Sequence, residues 1–354
     1  MPSKRTKRRA RPVTELVQIV ASKLRPPIGV VLGSPGEVLE LMGALPAGEI
    51  VSYQMDLFQA NRLREALRIR GHDADVVTYP DLWDLPQPAE TLVYPVAHGG
   101  ERVLKLDMIE QAYHALKPHG TLIVLSPYEA DDFFARALKK VFGKVHVPME
   151  GANTVFWCQR EGDRPRRRHE MTYHVRVDEN TSYAFVARPG VFGYGFFDEG
   201  ARALVEAIEL KPGQRLLDLG CGVGTNGILA ARQLGPDGAV VFADSNARAV
   251  ALAELNAREL GVPRFETQAT CTLTDWPDAS FDVVLANPPY YAQGSIMALF
   301  VERSHALLKA GGTLYLVTKQ IDAVLPIVQE RFGDPELFEN RGYLIVRATK
   351  PLAA

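Results

Sequence analysis

Short apolar runs alternate with longer stretches of helical periodicity from Ile28 onward, a pattern that predicts βαβ units and a parallel sheet. The runs fall at residues 28–32, 49–53, 74–77, 91–96 and 121–125. Between them lie helix-like stretches such as 59–70, closed by Gly71, a residue free to take the positive φ of a C′ position. This half reads as one open α/β domain over 26–160, preceded by a basic lead-in at 1–25. An Arg/Pro-rich segment then breaks the pattern, and residues 161–182 read as a linker and hairpin, with strands at 171–177 and 182–187 around Asp178, Glu179 and Asn180. A second α/β series occupies 183–354. It has a helix at 198–210 headed by Asp198 as N-cap, and strands at 215–219, 239–243 and 281–286.

The halves echo each other. Leu116, Lys117, Gly120, Thr121 and Leu122 recur 192 residues later as Leu308, Lys309, Gly312, Thr313 and Leu314, each time leading from a helix into an apolar strand. Phe142 and Gly143 similarly match Phe332 and Gly333. A duplication follows, with two tandem Rossmann-like α/β domains, each an open and mostly parallel sheet flanked by helices.

Composition is consistent with this picture. The 354 residues suffice for two domains, and 47% hydrophobic with 23% charged residues is the balance of a soluble globular chain. No apolar run approaches the roughly 18 to 20 residues of a membrane helix, and no apolar segment follows the basic start, so a cytoplasmic protein without membrane association is expected. Cys158, Cys221 and Cys271 are widely spaced, forming neither a disulfide framework nor a metal motif, and no metal is expected. Charge alters the picture more. The net value of −2 conceals ten basic residues in two clusters, Lys4, Arg5, Lys7, Arg8, Arg9 and Arg11, then Arg164, Arg166, Arg167 and Arg168. Setting these aside leaves 30 basic residues against 42 acidic ones, and basic arms on an acidic body suggest a polyanion partner.

The strongest local signal spans residues 216–227, LLDLGCGVGTNG, a strand entering a glycine loop and then a helix. Such glycines allow a tight turn and close backbone approach of a ligand at the C-terminal edge of a sheet. Gly222, Gly224 and Gly227 also satisfy the dinucleotide pattern, with Asp244 placed 20 residues beyond Gly224 to hold ribose hydroxyls, so a nicotinamide cofactor and S-adenosyl-L-methionine (SAM) both fit. Two features favour SAM. Asp218 precedes the first glycine by two residues, within reach of a ligand's amino end, and a second motif, Asn287-Pro288-Pro289-Tyr290, follows the strand at 281–286. Prolines hold that segment extended at the cleft mouth. An exocyclic amine is a poor nucleophile because its lone pair is delocalised. With the Asn287 side-chain oxygen and the Pro288 carbonyl accepting its two hydrogens, the nitrogen pyramidalises and aims its lone pair at a methyl donor. Tyr290 is placed to stack on the target ring.

The D-x-G-x-G-x-G order from Asp218 resembles motif I of the class I SAM-dependent methyltransferases, and its pairing with N-P-P-Y resembles the amino methyltransferases of adenine, guanine and glutamine. A third segment, Pro189-Gly190-Val191-Phe192 followed by Phe197-Asp198-Glu199-Gly200, resembles the bacterial ribosomal RNA guanine-N2 methyltransferases of RsmC and RlmG type. That resemblance implies a degenerate N-terminal copy and a catalytic C-terminal copy. It implies SAM as cofactor, with Gly220, Gly222 and Gly224 admitting its methionine part, Asp218 facing the amino end and Asp244 the ribose. Thr270 or Cys271 would contact adenine, or Asp275 would reach back, because the acid usual after the third strand is missing. Asn287, Pro288, Pro289 and Tyr290 would form the catalytic segment, and Phe192 with Tyr290 would bind substrate. The implied partner is ribosomal RNA or a small or large ribosomal subunit, with a monomer favoured. In the N-terminal copy Leu32-Gly33-Ser34-Pro35-Gly36 replaces the glycine loop and Tyr94-Pro95-Val96-Ala97 stands in place of N-P-P-Y, so that copy supports folding or RNA docking, or is scaffold alone. Residues 193–196, Gly-Tyr-Gly-Phe, also depart from the family's polar run. Alternatives are an N-methyltransferase for adenine or a protein glutamine, a SAM-binding RNA factor without turnover, a nicotinamide-dependent oxidoreductase, and Cys271 as a covalent nucleophile, which leaves N-P-P-Y without a role.

Overall fold

In the computed structural model, residues 11–72, 74–149, 151, 153–288 and 295–352 are described, and the chain divides into two compact units, Met1–His169 and Glu170–Ala354. The first unit carries strands β1 (Ile28–Val31), β2 (Ile50–Gln54), β3 (Asp75–Thr78), β4 (Ala89–Pro95), β5 (Leu116–Ser126), β6 (His146–Met149) and β7 (Thr154–Gln159). Its helices are α1 (Val13–Gln18), α2 (Pro35–Met42), α3 (Leu57–Arg70), α4 (Arg102–Ala115) and α5 (Asp132–Phe142). The second unit opens with a hairpin of β8 (Met171–Arg176) and β9 (Ser182–Ala187). It continues through α6 (Glu199–Ala207), β10 (Arg215–Leu219), α7 (Thr225–Leu234), β11 (Ala239–Asp244), α8 (Ala247–Glu259), β12 (Phe265–Ala269) and β13 (Phe281–Ala286). It closes with α9 (Ser295–Leu307), β14 (Leu308–Thr318), α10 (Ile321–Phe332), β15 (Glu336–Asn340) and β16 (Tyr343–Thr349).

Each unit is built on a seven-stranded sheet, in the orders β3-β2-β1-β4-β5-β7-β6 and β12-β11-β10-β13-β14-β16-β15. The first five strands of each order are parallel, while β7 and β16 run antiparallel to their neighbours. Chain direction across the sheet reverses between β1 and β4 and again between β10 and β13, the crevice where open α/β sheets bind ligands.

The sequence echo has a structural counterpart. At the α4–β5 junction Lys117 pairs with Glu90, and a Cβ on Gly120 would lie 2.9 Å from the Lys117 carbonyl and 3.1 Å from that of Glu90. At the α9–β14 junction Lys309 pairs with Asp282, and a Cβ on Gly312 would lie 2.9 and 3.0 Å from the Lys309 and Asp282 carbonyls. The two glycines are required by the same close approach, as expected of copies of one unit.

Three segments differ from their expected form. The hairpin belongs to the second unit: Tyr173, Val175, Phe185 and Ala187, alternating along β8 and β9, are buried in the core that also holds Leu216 and Ile228. Helix α6 stops at Ala207 instead of 210, because Ile208 turns extended, and side chains capture the next amides: Gln233 accepts from Leu210 N at 3.1 Å and Gln214 from Lys211 N at 2.7 Å. The arginine-rich stretch is docked on the first unit. Arg164 bonds the Val141 carbonyl at 2.7 Å and Glu110 at 3.1 Å, and Arg168 reaches Asp81 at 3.7 Å. Arg166 and Arg168 also lie over the Trp83 ring. Glu110 and Asp81 are buried carboxylates, and a buried charge left unpaired is costly, which ties this stretch down. Of the N-terminal basic cluster, Lys4, Arg5, Lys7, Arg8 and Arg9 lie outside the described residues.

Candidate active site

Strand β10 ends in the loop Gly220–Cys221–Gly222–Val223–Gly224, which turns directly into α7. Gly220, Gly222 and Gly224 have φ of 72°, 54° and 85°, the left-handed region in which a side chain is strained. The loop is stitched to β11 on its sheet side. Gly220 N and Cys221 N both donate to the Ala243 carbonyl, at 2.8 and 3.0 Å, and Gly222 N donates to Asp244 Oδ2 at 2.9 Å. Its other flank is held by Asn256 of α8, whose Nδ2 donates to the carbonyls of Val223 and Val186, both at 2.9 Å, while its Oδ1 accepts from Val186 N. One buried amide thus joins the glycine loop to the hairpin.

Asp218 lies behind this loop. Its Oδ2 accepts from Gly227 N in the first turn of α7 at 2.8 Å, and burial pushes its pKa up to about 7, with the Gly227 hydrogen bond opposing and the Asp244 charge adding to the rise. Its carboxyl therefore anchors the helix under the loop and is not on the cleft wall. Gly227 makes the approach possible, since a Cβ there would stand 2.5 Å from the Phe242 ring, 2.9 Å from Val240 and 3.0 Å from Asp218 Oδ2. Asp244 holds Gly222 N with one oxygen and Asn246 N, at 2.9 Å, with the other. Thr270 N donates to the Asp244 carbonyl, and Thr270 Oγ1 accepts from Leu273 N at 3.1 Å, ordering the turn after β12. Cys271 is half-buried beside it.

An open cleft of about 410 Å³ runs along the loop's outer side. It gathers Phe192, Gly220, Gly222 and Asn287 from the expected residues, and adds Tyr173, Phe196, Asp198 and Asn226. Gly224, Asp218, Asp244, Thr270, Cys271 and the buried Pro288 stand at the same sheet edge but off this wall. Asn287 leaves β13 alongside Gly220, because Leu219 and Ala286 are register partners. Its Nδ2 donates to Asp198 Oδ2 at 3.2 Å, and a carboxylate can only accept, so the amide carbonyl is turned the other way. Asp198 is itself fixed as the N-cap of α6, accepting from Ala201 N at 2.9 Å. Pro289 and Tyr290 lie outside the described residues.

The segment carrying Phe192 is clamped from α8: Arg248, fully buried, donates to the Pro189 carbonyl at 2.6 Å and Asn246 Nδ2 to that of Gly190 at 2.8 Å. Tyr173 enters the wall through its hydroxyl, 2.8 Å from Thr225 Oγ1, and burial raises its pKa to about 12. Sequence reasoning missed Tyr173, Arg248 and Asn256. The available signal was three polar or amphipathic residues on the apolar faces of β8 and α8.

In the first unit the corresponding loop is packed over. Gly33 also has a positive φ, but a Cβ there would lie 2.9 Å from Pro95 and 3.1 Å from Val38, so the exit of β4 packs directly on the loop. Gln54, in the place of Asp244, donates to the Gly33 carbonyl at 3.3 Å. Among the described residues of the chain, no His, Cys, Asp and Glu cluster is placed to hold a metal, and no helix is long and apolar enough to cross a membrane.

Residues 182–347 match the family model described as "Methyltransferase small domain". The chain is 32% identical over 174 residues to a ribosomal RNA small subunit methyltransferase C of Pseudomonas syringae pv. syringae (strain B728a), an alignment covering 47% of this chain and 51% of that one. It is 29% identical over 180 residues to a ribosomal RNA large subunit methyltransferase G of Yersinia pestis (strain Pestoides F), covering 48% and 45%. The chain therefore spans about half the length of these curated relatives. Among solved structures, the T. thermophilus 16S rRNA N2 G1207 methyltransferase (RsmC), in complex with AdoMet and guanosine, has a TM-score of 0.71 at 21% identity, covering 95% of this chain and 92% of that one. The tandem fold is shared.

Proposed function

We propose, for a C-terminal unit that belongs to the methyltransferase small-domain family, that it transfers a methyl group from SAM to an exocyclic amino nitrogen, guanine N2 of ribosomal RNA. The observation that carries this reading is Asn287 at the lip of the glycine-loop cleft, its amide turned by Asp198. The names of the two curated relatives support RNA of the ribosome as the acceptor, and the guanosine bound to the T. thermophilus protein supports the base.

The cleft suits SAM on two counts. A Cβ on Gly220 or Gly222 would meet nothing nearer than 3.5 and 3.7 Å, so their missing side chains leave bare backbone for the methionine end. Asn226, on the same wall, has a buried Oδ1 without a hydrogen-bond partner, in a place where a ligand's amino group would complete it. Asp244 and Thr270, on the adjoining strand ends, would serve the ribose and adenine, and Asp218 would act from beneath by holding the loop.

When bound, SAM supplies a methyl group on a sulfonium. The chain's own part is to aim the acceptor. Asn287 Oδ1 and the Pro288 carbonyl accept the two amine hydrogens, drawing the nitrogen out of conjugation with the ring, and Asp198 keeps the Asn287 amide from rotating away. The methylated amine then loses a proton to solvent without a dedicated base. The N-terminal unit, its own loop blocked by Pro95, has no part in transfer and supports folding or RNA docking. Incubating the protein with methyl-labelled SAM and ribosomal RNA or subunits tests this: label in N2-methylguanosine is expected, and label in no RNA or particle would refute it.

A further inference from the structure

Phe192 and Phe196 are 59% and 54% exposed, the two most exposed phenylalanines among the described residues, and both line the cleft that holds Asn287. Isolated exposed apolar side chains need no explanation, but two on one lip of a candidate active site do.

The lip is built, not loose. Phe196 N donates to the Gly193 carbonyl at 3.2 Å, closing a turn in which Gly193 and Gly195 take φ of 77° and 82°. Gly195 is pressed on Met171 of β8 so closely that a Cβ would overlap the sulfur, and Tyr194 packs against the core. Arg248 and Asn246 hold the chain just before Phe192, and Asp198 fixes it just after Phe196. The turn's middle residues therefore face inward and its two terminal rings remain outside.

The cleft chemistry selects what those rings hold. Asp198 is the sole charged side chain among the described residues of the wall, and it is engaged by Asn287 and Ala201 N. The lip thus offers π faces to an uncharged planar group, continuous with the place where an exocyclic amine would meet Asn287. We infer that Phe196, with Phe192, forms the stacking platform for the target purine once it is extruded from the RNA. This rests on the methyl-transfer reading above. Phe196 contributes base binding, while Asn287 selects the amine. Base–aromatic stacking removed by alanine weakens binding by roughly 5- to 150-fold.

The test is steady-state methylation of ribosomal RNA by the wild-type chain and by Phe196→Ala and Phe196→Trp, with SAM affinity measured by calorimetry. The expectation is a rise of about tenfold or more in KM for RNA with Phe196→Ala, at nearly unchanged kcat, SAM affinity and melting temperature, and recovery with Phe196→Trp. A wild-type KM in Phe196→Ala, or an equal defect in Phe196→Trp, would overturn the platform while leaving the methyltransferase reading intact. A wild-type chain that labels a glutamine-bearing peptide and no RNA would overturn both.

Discussion

Asn287 Nδ2 and the Asp198 carboxylate meet at 3.2 Å, and the same Asp198 oxygen accepts from Ala201 N at the head of α6. The orientation of the candidate catalytic amide is thus tied to a helix cap 89 residues earlier in the chain. Asn287→Ala is expected to abolish methyl transfer with little change in SAM affinity. Asp198→Ala is expected to lower kcat by roughly 100-fold, the scale of a slightly misplaced reacting group, and to cost about 1 kcal/mol of stability through the lost cap. Asp198→Asn keeps an acceptor oxygen and should recover most of both. Single-turnover rates beside chemical denaturation check the set, and a fully active Asp198→Ala would show that the pair does not orient Asn287.

Asp218 predicts a pH effect on stability. Its folded carboxyl, raised to about 7 from an ordinary 3.8, holds its proton more tightly than the unfolded chain does. Its contribution to stability is therefore full below about pH 4 and is lost as pH rises through about 7, a change of a few kcal/mol at most. Asp218→Asn, which still offers an oxygen to Gly227 N, removes this titration. Melting temperatures at about pH 5 and about pH 8 should show the variant gaining on the wild type at the higher pH. Parallel curves would mean that Asp218 is ionised in the folded state.

Two glycines separate space from backbone conformation. Gly227→Ala pushes a methyl group against Phe242 and Asp218 and should cost about 1–3 kcal/mol, with a marked loss of SAM affinity as the loop shifts. At Gly235 nothing lies within 4 Å, and only the backbone, with φ 66° and ψ −172°, opposes a side chain. Gly235→Ala should cost about 1–3 kcal/mol with SAM affinity intact. Equal SAM affinities in the two variants would contradict the role given to Gly227.

The contact of Pro95 with Gly33 predicts one SAM per chain. Calorimetric titration of the full-length protein should give a stoichiometry near one. A value near two would show that the N-terminal unit retains a working site.

Much of this organisation is legible in sequence because it is local or periodic. The glycine loop, the strand leading into it and the N-cap Asp198 are read within a dozen residues, and the repeated Leu-Lys and Gly-Thr-Leu segments mark one junction twice. What escapes reading depends on partners far along the chain. Tyr173 meets Thr225 across 52 residues and Asn256 meets Val186 across 70, so neither the hairpin's place in the second unit nor its tie to the glycine loop has a local signature. The arginines at 164–168 read as a basic arm for a polyanion until the buried Glu110 and Asp81 come beside them. Asp218 is recognisable as part of a motif, yet its service to Gly227 rather than to the cleft follows from how deeply it is buried.

The proposed methyl transfer to guanine N2 of ribosomal RNA is tested by mapping N2-methylguanosine in ribosomal RNA from cells with and without this protein. A modified guanine is expected that disappears with the protein, returns with the wild-type chain and does not return with Asn287→Ala. An unchanged modification map, or restoration by Asn287→Ala, would rule out this assignment of substrate or of Asn287.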